Sequence, residues 1–235
     1  AEMMALTRLA SRELHHLRNV KSGPLRCQIS NFSSSSDPSK FAEPSFWDDK
    51  YRAGRAPSEW FAEVDEVLDT IEREVRHNDN LARLSELKCL HIGCGLSELG
   101  LRVAKAFDHV HVTNVDVSEG AVHQLEKVAK TKYEQNVLAR SVFMQDDIFA
   151  SKIEDSSVDL CIDKGTLDAV EFGGDDMTHD FLRQVHRMLK PGGMYLQIST
   201  IDPGVRDAVT LADIPWARKS WSPAYEELWA YKFVR

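Results

Sequence analysis

Apolar positions along this chain recur with two periods, and the alternation of those periods lays out the architecture. Val64, Val67, Leu68 and Ile71 repeat at the spacing of one helix face and predict a helix over 63–76. Short apolar runs at 89–92, 109–116, 139–144, 158–162 and 194–199 read as buried strands. Helical segments are expected between them at 97–107, 119–133 and 177–189. Pro191-Gly192-Gly193 is expected to stop the last of these before the fifth strand. Two further short strands close the chain, the final one near 228–234. Strands alternating with helices predict an α/β domain with a mainly parallel sheet. No internal repeat is visible, and nothing between 46 and 235 resembles a domain linker.

Two strand ends carry the candidate chemistry. The first strand runs into His91-Ile92-Gly93-Cys94-Gly95, where residues without a Cβ let the backbone approach a ligand. The fourth ends in Asp163-Lys164-Gly165-Thr166. Ligands of open α/β sheets sit at the carboxyl ends of the strands, so both ends should line one crevice. A dinucleotide fingerprint requires Gly-x-Gly-x-x-Gly, but here the third position is Glu98 and the next glycine is Gly100. That departure argues against a nicotinamide dehydrogenase and suits a looser turn holding an amino acid and a nucleoside. Asp116 ends the second strand 23 positions after Gly93, where an acidic side chain can accept from a ribose diol. Ser118 is placed to cap the following helix. Asp147, beyond the third strand, can meet an adenine amino group, or simply belong to a solvated acidic loop. His91, inside a strand, reads as a hydrogen-bonded core residue.

Composition changes the picture at the amino terminus. Residues 1–36 hold five basic and two acidic side chains, a net +3 against −8 for all 235 residues, which leaves −11 for 37–235. Leu6, Leu9, Leu14 and Leu17 share a helix face with arginines beside them, and a serine-rich stretch follows. This Arg-rich, acid-poor start reads as a mitochondrial transit peptide, with a flexible basic tail and a cytoplasmic protein as the alternative. Residues 37–235 form the expected catalytic domain. Its acidity disfavours a nucleic-acid partner, no apolar run predicts a membrane span, and an acidic rim suits a lysine-bearing protein. The four cysteines have no metal-ligand spacing, so no metal is expected.

The order of Gly-Cys-Gly turn, Asp116, Asp147, Asp163 and Leu189-Lys-Pro-Gly-Gly193 resembles the class I, seven-stranded methyltransferases. The run 162–170, IDKGTLDAV, with FWDDKY at 46–51 and EWF at 59–61, is similar to the protein-lysine group of methyltransferase-like enzymes. That group includes enzymes acting on elongation factor 1-alpha and on mitochondrial citrate synthase. The resemblance covers about 46–202 and implies a Rossmann-like seven-stranded, mainly parallel sheet with an antiparallel last strand and helices on both faces. It implies S-adenosylmethionine as cofactor and a protein presenting a lysine as substrate. Trp47, Tyr51 and Trp60 would close over the cofactor, Gly93 and Gly95 would cradle its methionine part, and Lys164 would add a contact at the methionine end. Asp116 and Val117 would hold the ribose and adenine edge, and Asp147 and Ile148 the adenine. Asp163 would orient the incoming amine, by side chain or backbone carbonyl, or would cap the helix that follows it. The segment 202–206 resembles the corresponding stretch of the citrate synthase enzyme. A small-molecule methyltransferase and a non-catalytic cofactor-binding protein are the competing functions.

Overall fold

The computed structural model describes residues 38–204, 206 and 214–235. The basic leader and Cys27 lie outside the described residues. Seven strands form one sheet in the order β3-β2-β1-β4-β5-β7-β6. They are β1 (Leu87–Ile92), β2 (Val110–Asp116), β3 (Ser141–Gln145), β4 (Val158–Lys164), β5 (Leu189–Ser199), β6 (Arg218–Tyr225) and β7 (Leu228–Val234). The pairs β1–β2, β1–β4, β2–β3 and β4–β5 are parallel. The last strand, β7, runs antiparallel between β5 and β6. The order reverses between β1 and β4, and the carboxyl ends of those two strands flank the crevice that such a switch point creates.

The helices are α1 (Pro44–Arg52), α2 (Val64–His77), α3 (Leu99–Ala106), α4 (Glu119–Lys132), α5 (Gln135–Leu138), α6 (Thr166–Val170) and α7 (Asp175–Met188). Two apolar layers show why the sheet is covered on both sides. One joins Val67 and Ile71 of α2 and Leu101 of α3 to Cys89, Leu160 and Leu196 of the sheet. The other joins Phe181, Leu182 and Val185 of α7 to Leu90, Cys161, Tyr195 and Phe233. Alternate residues of each strand thus enter opposite layers, as a pleated strand buried on both faces requires. β4 is buried along all seven residues. Among the described residues, no helix is long and apolar enough to cross a membrane.

One motif gains a setting and one expectation needs correction. FWDDKY lies on a full helix, α1, begun by Pro44 at its first position, where proline's missing N–H costs nothing. Pro191-Gly192-Gly193 does end the α7 region but falls inside β5 rather than before it. The β4–β5 register shifts there, from Val158↔Leu189 to Leu160↔Met194. A side chain on Gly193 would meet the Asp159 and Val158 carbonyls at 3.1 and 3.2 Å, so only glycine lets the extra chain fold against β4.

Candidate active site

The glycine turn leaves β1 with φ of 58° at Gly93 and 52° at Gly95, a region that costs a side chain about 1–2 kcal/mol. Space imposes the same choice. A Cβ on Gly93 would strike the Thr166 side chain, and one on Gly95 would strike the Tyr51 hydroxyl. The two glycines therefore let the loop after β4 and the ring from α1 converge on the end of β1.

Asp116, at the end of β2, faces this turn. Its carboxylate accepts from the Gly95 amide at 2.8 Å and the Ser118 amide at 2.9 Å. Burial pushes its carboxyl up to about 6, against the pull of those backbone amides. Ser118 in turn caps α4, accepting from the Ala121 amide, and donates to Asp48 at 2.9 Å. Asp147 caps the short helical turn Ile148–Ala150 through the Phe149 amide at 3.0 Å. Gln145 donates to the Val117 carbonyl at 3.2 Å, which joins the ends of β2 and β3. Val117, Asp147 and Ile148 are partly exposed along the same edge.

An amino-terminal arm closes over these ends. Trp47 packs edge-on to Trp60 at 5.4 Å and lies 6.4 Å from Tyr51, while its indole N–H donates to the Phe41 carbonyl. Tyr51 is buried, and its hydroxyl is held well above its ordinary pKa by burial and then by Asp116, Cys94 and Glu59. Gln124 of α4 donates to the Tyr51 carbonyl at 3.2 Å. Lys164, at the end of β4, meets this arm. Its ammonium donates to Glu59 at 2.7 Å and to the carbonyls of Trp60 and Ala62 at 2.7 and 3.1 Å. Those three acceptors use all three N–H groups of a lysine. Lys164 anchors the arm, and its donors are spent before a ligand arrives.

Asp163 is wholly buried, and its carboxylate accepts from the Thr166 amide at 2.7 Å, the Leu167 amide at 3.0 Å and the Tyr195 hydroxyl at 2.7 Å. The side chain thus holds the first two amides of α6 from two residues before its N-cap position, Gly165. His91 is likewise a core residue, bonded to Asn114 at 3.2 Å, and burial lowers it to about 4.

The arrangement fits the cofactor expected from the motifs. Asp116 and Asp147 are held by backbone amides, and among the described residues no cation pairs with either. An uncompensated carboxylate beside the glycine turn suits neutral hydroxyl donors such as a ribose diol and opposes a pyrophosphate. The ring faces of Trp47, Tyr51 and Trp60 suit a sulfonium cation.

Sequence reading missed several residues of this region: Asp48, Glu59 and Gln124, which hold the arm, and Asp168, Glu171, Gln197 and Arg206 beyond the end of β4. Glu59 and Asp168 stand inside the motifs EWF and IDKGTLDAV, but no spacing rule reveals partners so distant in sequence.

Comparison with known proteins agrees with this geometry. A family model described as a methyltransferase domain matches residues 90–195. A Drosophila melanogaster protein named eEF1A lysine and N-terminal methyltransferase homolog is 29% identical over 69% of this chain, which spans 23% of that relative's length. The human mitochondrial citrate synthase-lysine N-methyltransferase is 29% identical over 96% of this chain and 95% of its own. A methyltransferase structure from Aquifex aeolicus superposes with a TM-score of 0.54 at 16% identity, covering 82% of this chain and 99% of that one.

Proposed function

We propose that this chain, which carries a class I S-adenosylmethionine-dependent methyltransferase domain, methylates a lysine side chain in a folded protein, with citrate synthase in mitochondria as the first candidate. One observation carries the reading: the likeness to the human citrate synthase enzyme runs nearly end to end through both chains. The likeness to the elongation factor enzymes covers 23% of their length in the relative named above. The leader's composition supports the compartment. The motif IDKGTLDAV supports the lysine acceptor.

The cofactor supplies an activated methyl group on sulfur. The chain's own residues do the rest. Asp116 would hold the ribose hydroxyls, its orientation kept by the Gly95 and Ser118 amides. Val117, Asp147 and Ile148 line the adenine side. Trp47, Tyr51 and Trp60, drawn in by the Lys164–Glu59 anchor, exclude water from the reacting centre. The acceptor nitrogen must shed a proton first, because a free lysine titrates near 10.4 and its ammonium has no lone pair. A partly desolvated site lowers that value. Once deprotonated, the amine needs alignment more than a strong base, and alignment supplies much of the acceleration. With the Asp163 carboxylate engaged as a cap, its remaining route to the amine is the backbone carbonyl.

The test is mass spectrometry of citrate synthase incubated with the protein and S-adenosylmethionine. Methyl-lysine on citrate synthase is the expected result. Labelling of elongation factor 1-alpha instead would move the target to the cytosol and keep the reaction. Labelling of small molecules alone would defeat the protein-lysine reading.

A further inference from the structure

Beside the cofactor half of the crevice, the chain builds a second polar cluster that the motifs do not explain. Asp168 on α6 and Glu171 in the turn Glu171–Gly173 that follows lie three residues apart and share a face. Tyr195, Gln197 and Ser199 alternate along β5 and present one face toward them. Arg206, 1% exposed, donates to Asp168 and Glu171 and to the Ser199 hydroxyl at 2.9 Å, and lies over the Tyr231 ring.

The hydrogen bonds in this cluster are lopsided. Arg206, Ser199 and Gln197 all donate to the same carboxylate oxygen of Asp168, Oδ1. The other oxygen, Asp168 Oδ2, is buried with no hydrogen-bond partner, and so is Gln197 Oε1. The Gln197 amide orientation follows from its neighbour, since only its NH2 can bond Asp168 Oδ1 at 3.3 Å. Two bare acceptors thus lie in a buried cluster at the ends of β4 and β5. Left empty, each would cost about 1–3 kcal/mol. Charge is unbalanced as well: among the described residues, three carboxyl groups, Asp163, Asp168 and Glu171, stand against one guanidinium, that of Arg206. Burial raises the Asp168 carboxyl and pushes that of Glu171 up to about 7, both opposed by Arg206. The cluster reaches the surface only narrowly, with the Asp168 side chain 9% and the Glu171 side chain 11% exposed.

The geometry points to Asp168 Oδ2 and Gln197 Oε1 as the seat of the acceptor amine, with Arg206 as the positioning residue that holds Asp168 by its other oxygen. This rests on the lysine reading above and names the side chains that would receive that lysine. The chemistry matches in number. A neutral primary amine has two N–H groups and one lone pair. Two acceptors take the two N–H groups and leave the lone pair free for the methyl group. A long aliphatic stem suits a seat at this depth, because its methylenes cost little to bury and carry the nitrogen inward. The site lies at the carboxyl edge of the sheet, where ligands of open α/β folds are held. An internal water bonded to both acceptors is the competing occupant.

The test uses n-butylammonium as a lysine side-chain probe. It is titrated by calorimetry into the protein saturated with S-adenosylhomocysteine, alongside labelled-methyl turnover on citrate synthase. Gln197→Met removes one bare acceptor and keeps the volume. It should weaken the probe and raise KM at least tenfold, with S-adenosylhomocysteine affinity and Tm nearly unchanged. Asp168→Asn should do the same where it folds, and Gln197→Met decides alone where it does not. Unchanged probe affinity and KM in folded Gln197→Met would overturn the proposal and leave water as the occupant. If the wild type methylates lysine and Gln197→Met matches it, the seat is wrong and the function stands. If the wild type labels no lysine but binds the probe through Gln197, the seat stands and the function falls.

Discussion

The two halves of the crevice satisfy most of their carboxylates in different ways. On the β1-β2-β3 side, Asp116 and Asp147 accept from backbone amides of turns. On the β4-β5 side Asp163 still accepts from backbone amides, but Asp168 and Glu171 rely on side chains: Arg206, brought from 35–38 residues away, for both, with Ser199 and Gln197 added at Asp168. Backbone amides cannot be mutated away, so the first half is built into the fold. The second half rests on a few exchangeable side chains. A scaffold arranged like this can keep one cofactor while its acceptor site changes.

Breaking the second half should have the largest effect. Arg206→Met leaves two carboxylates buried without their cation, a loss of about 3–5 kcal/mol by denaturant unfolding. The deficit should shrink toward acid. The carboxyls of Asp168 and Glu171 are already raised in the folded protein and rise further without Arg206. The folded state then binds protons that the unfolded state releases above about pH 4, so stability falls as pH rises through that window. A deficit equal at pH 5 and pH 7.5 would contradict this.

Breaking the first half should damage binding more than folding. Asp116→Asn keeps one acceptor oxygen and loses the charge, so S-adenosylmethionine affinity should drop by about 1.5–3 kcal/mol in calorimetry. The wild type carries a matching signature. Its Asp116 carboxyl titrates near 6, and the ribose hydroxyls bond best to the ionised form. Affinity should therefore hold above pH 7 and decline below about 6, and the Asn variant should lose that dependence. The smallest expected effect tests the rim of the same half. Ser118→Ala removes the cap of α4 and the bond to Asp48, and should cost about 1 kcal/mol of stability. A comparable fall in stability at Asp116 would blur the contrast between the halves.

The contrast also explains what could be read from the chain alone. The glycine turn, Asp116 and Asp147 are local devices, fixed by a strand end and the residues just beyond it, and their spacing announces them. The seven-stranded, mainly parallel sheet and its antiparallel last strand follow from the resemblance and are found as expected. Lys164 was expected beside the cofactor, but its partners Glu59, Trp60 and Ala62 lie more than a hundred residues away, and no periodicity links them. For Asp163, capping and orienting an amine call for the same residue at the same strand end, and only its hydrogen bonds separate the two. Arg206 ends the segment 202–206 that the resemblance singles out, but its role comes from the two acids that fold against it.

The arm's anchor has a consequence for the order of assembly. Residues 44–62 are made early, yet the contact that fastens their Glu59–Ala62 end is the ammonium of Lys164, 105 residues from Glu59. Until β4 is in place the arm has its contacts with α4, through Asp48 and Tyr51, but its Glu59–Ala62 end lacks that ammonium; contacts of such sequence separation close late because the intervening loop must first be ordered. The sheet and its acceptor half are thus expected to form while the aromatic cover is still open. Trp47 and Trp60 fluorescence should report the final, slow step of folding, after the sheet's circular dichroism signal has already appeared.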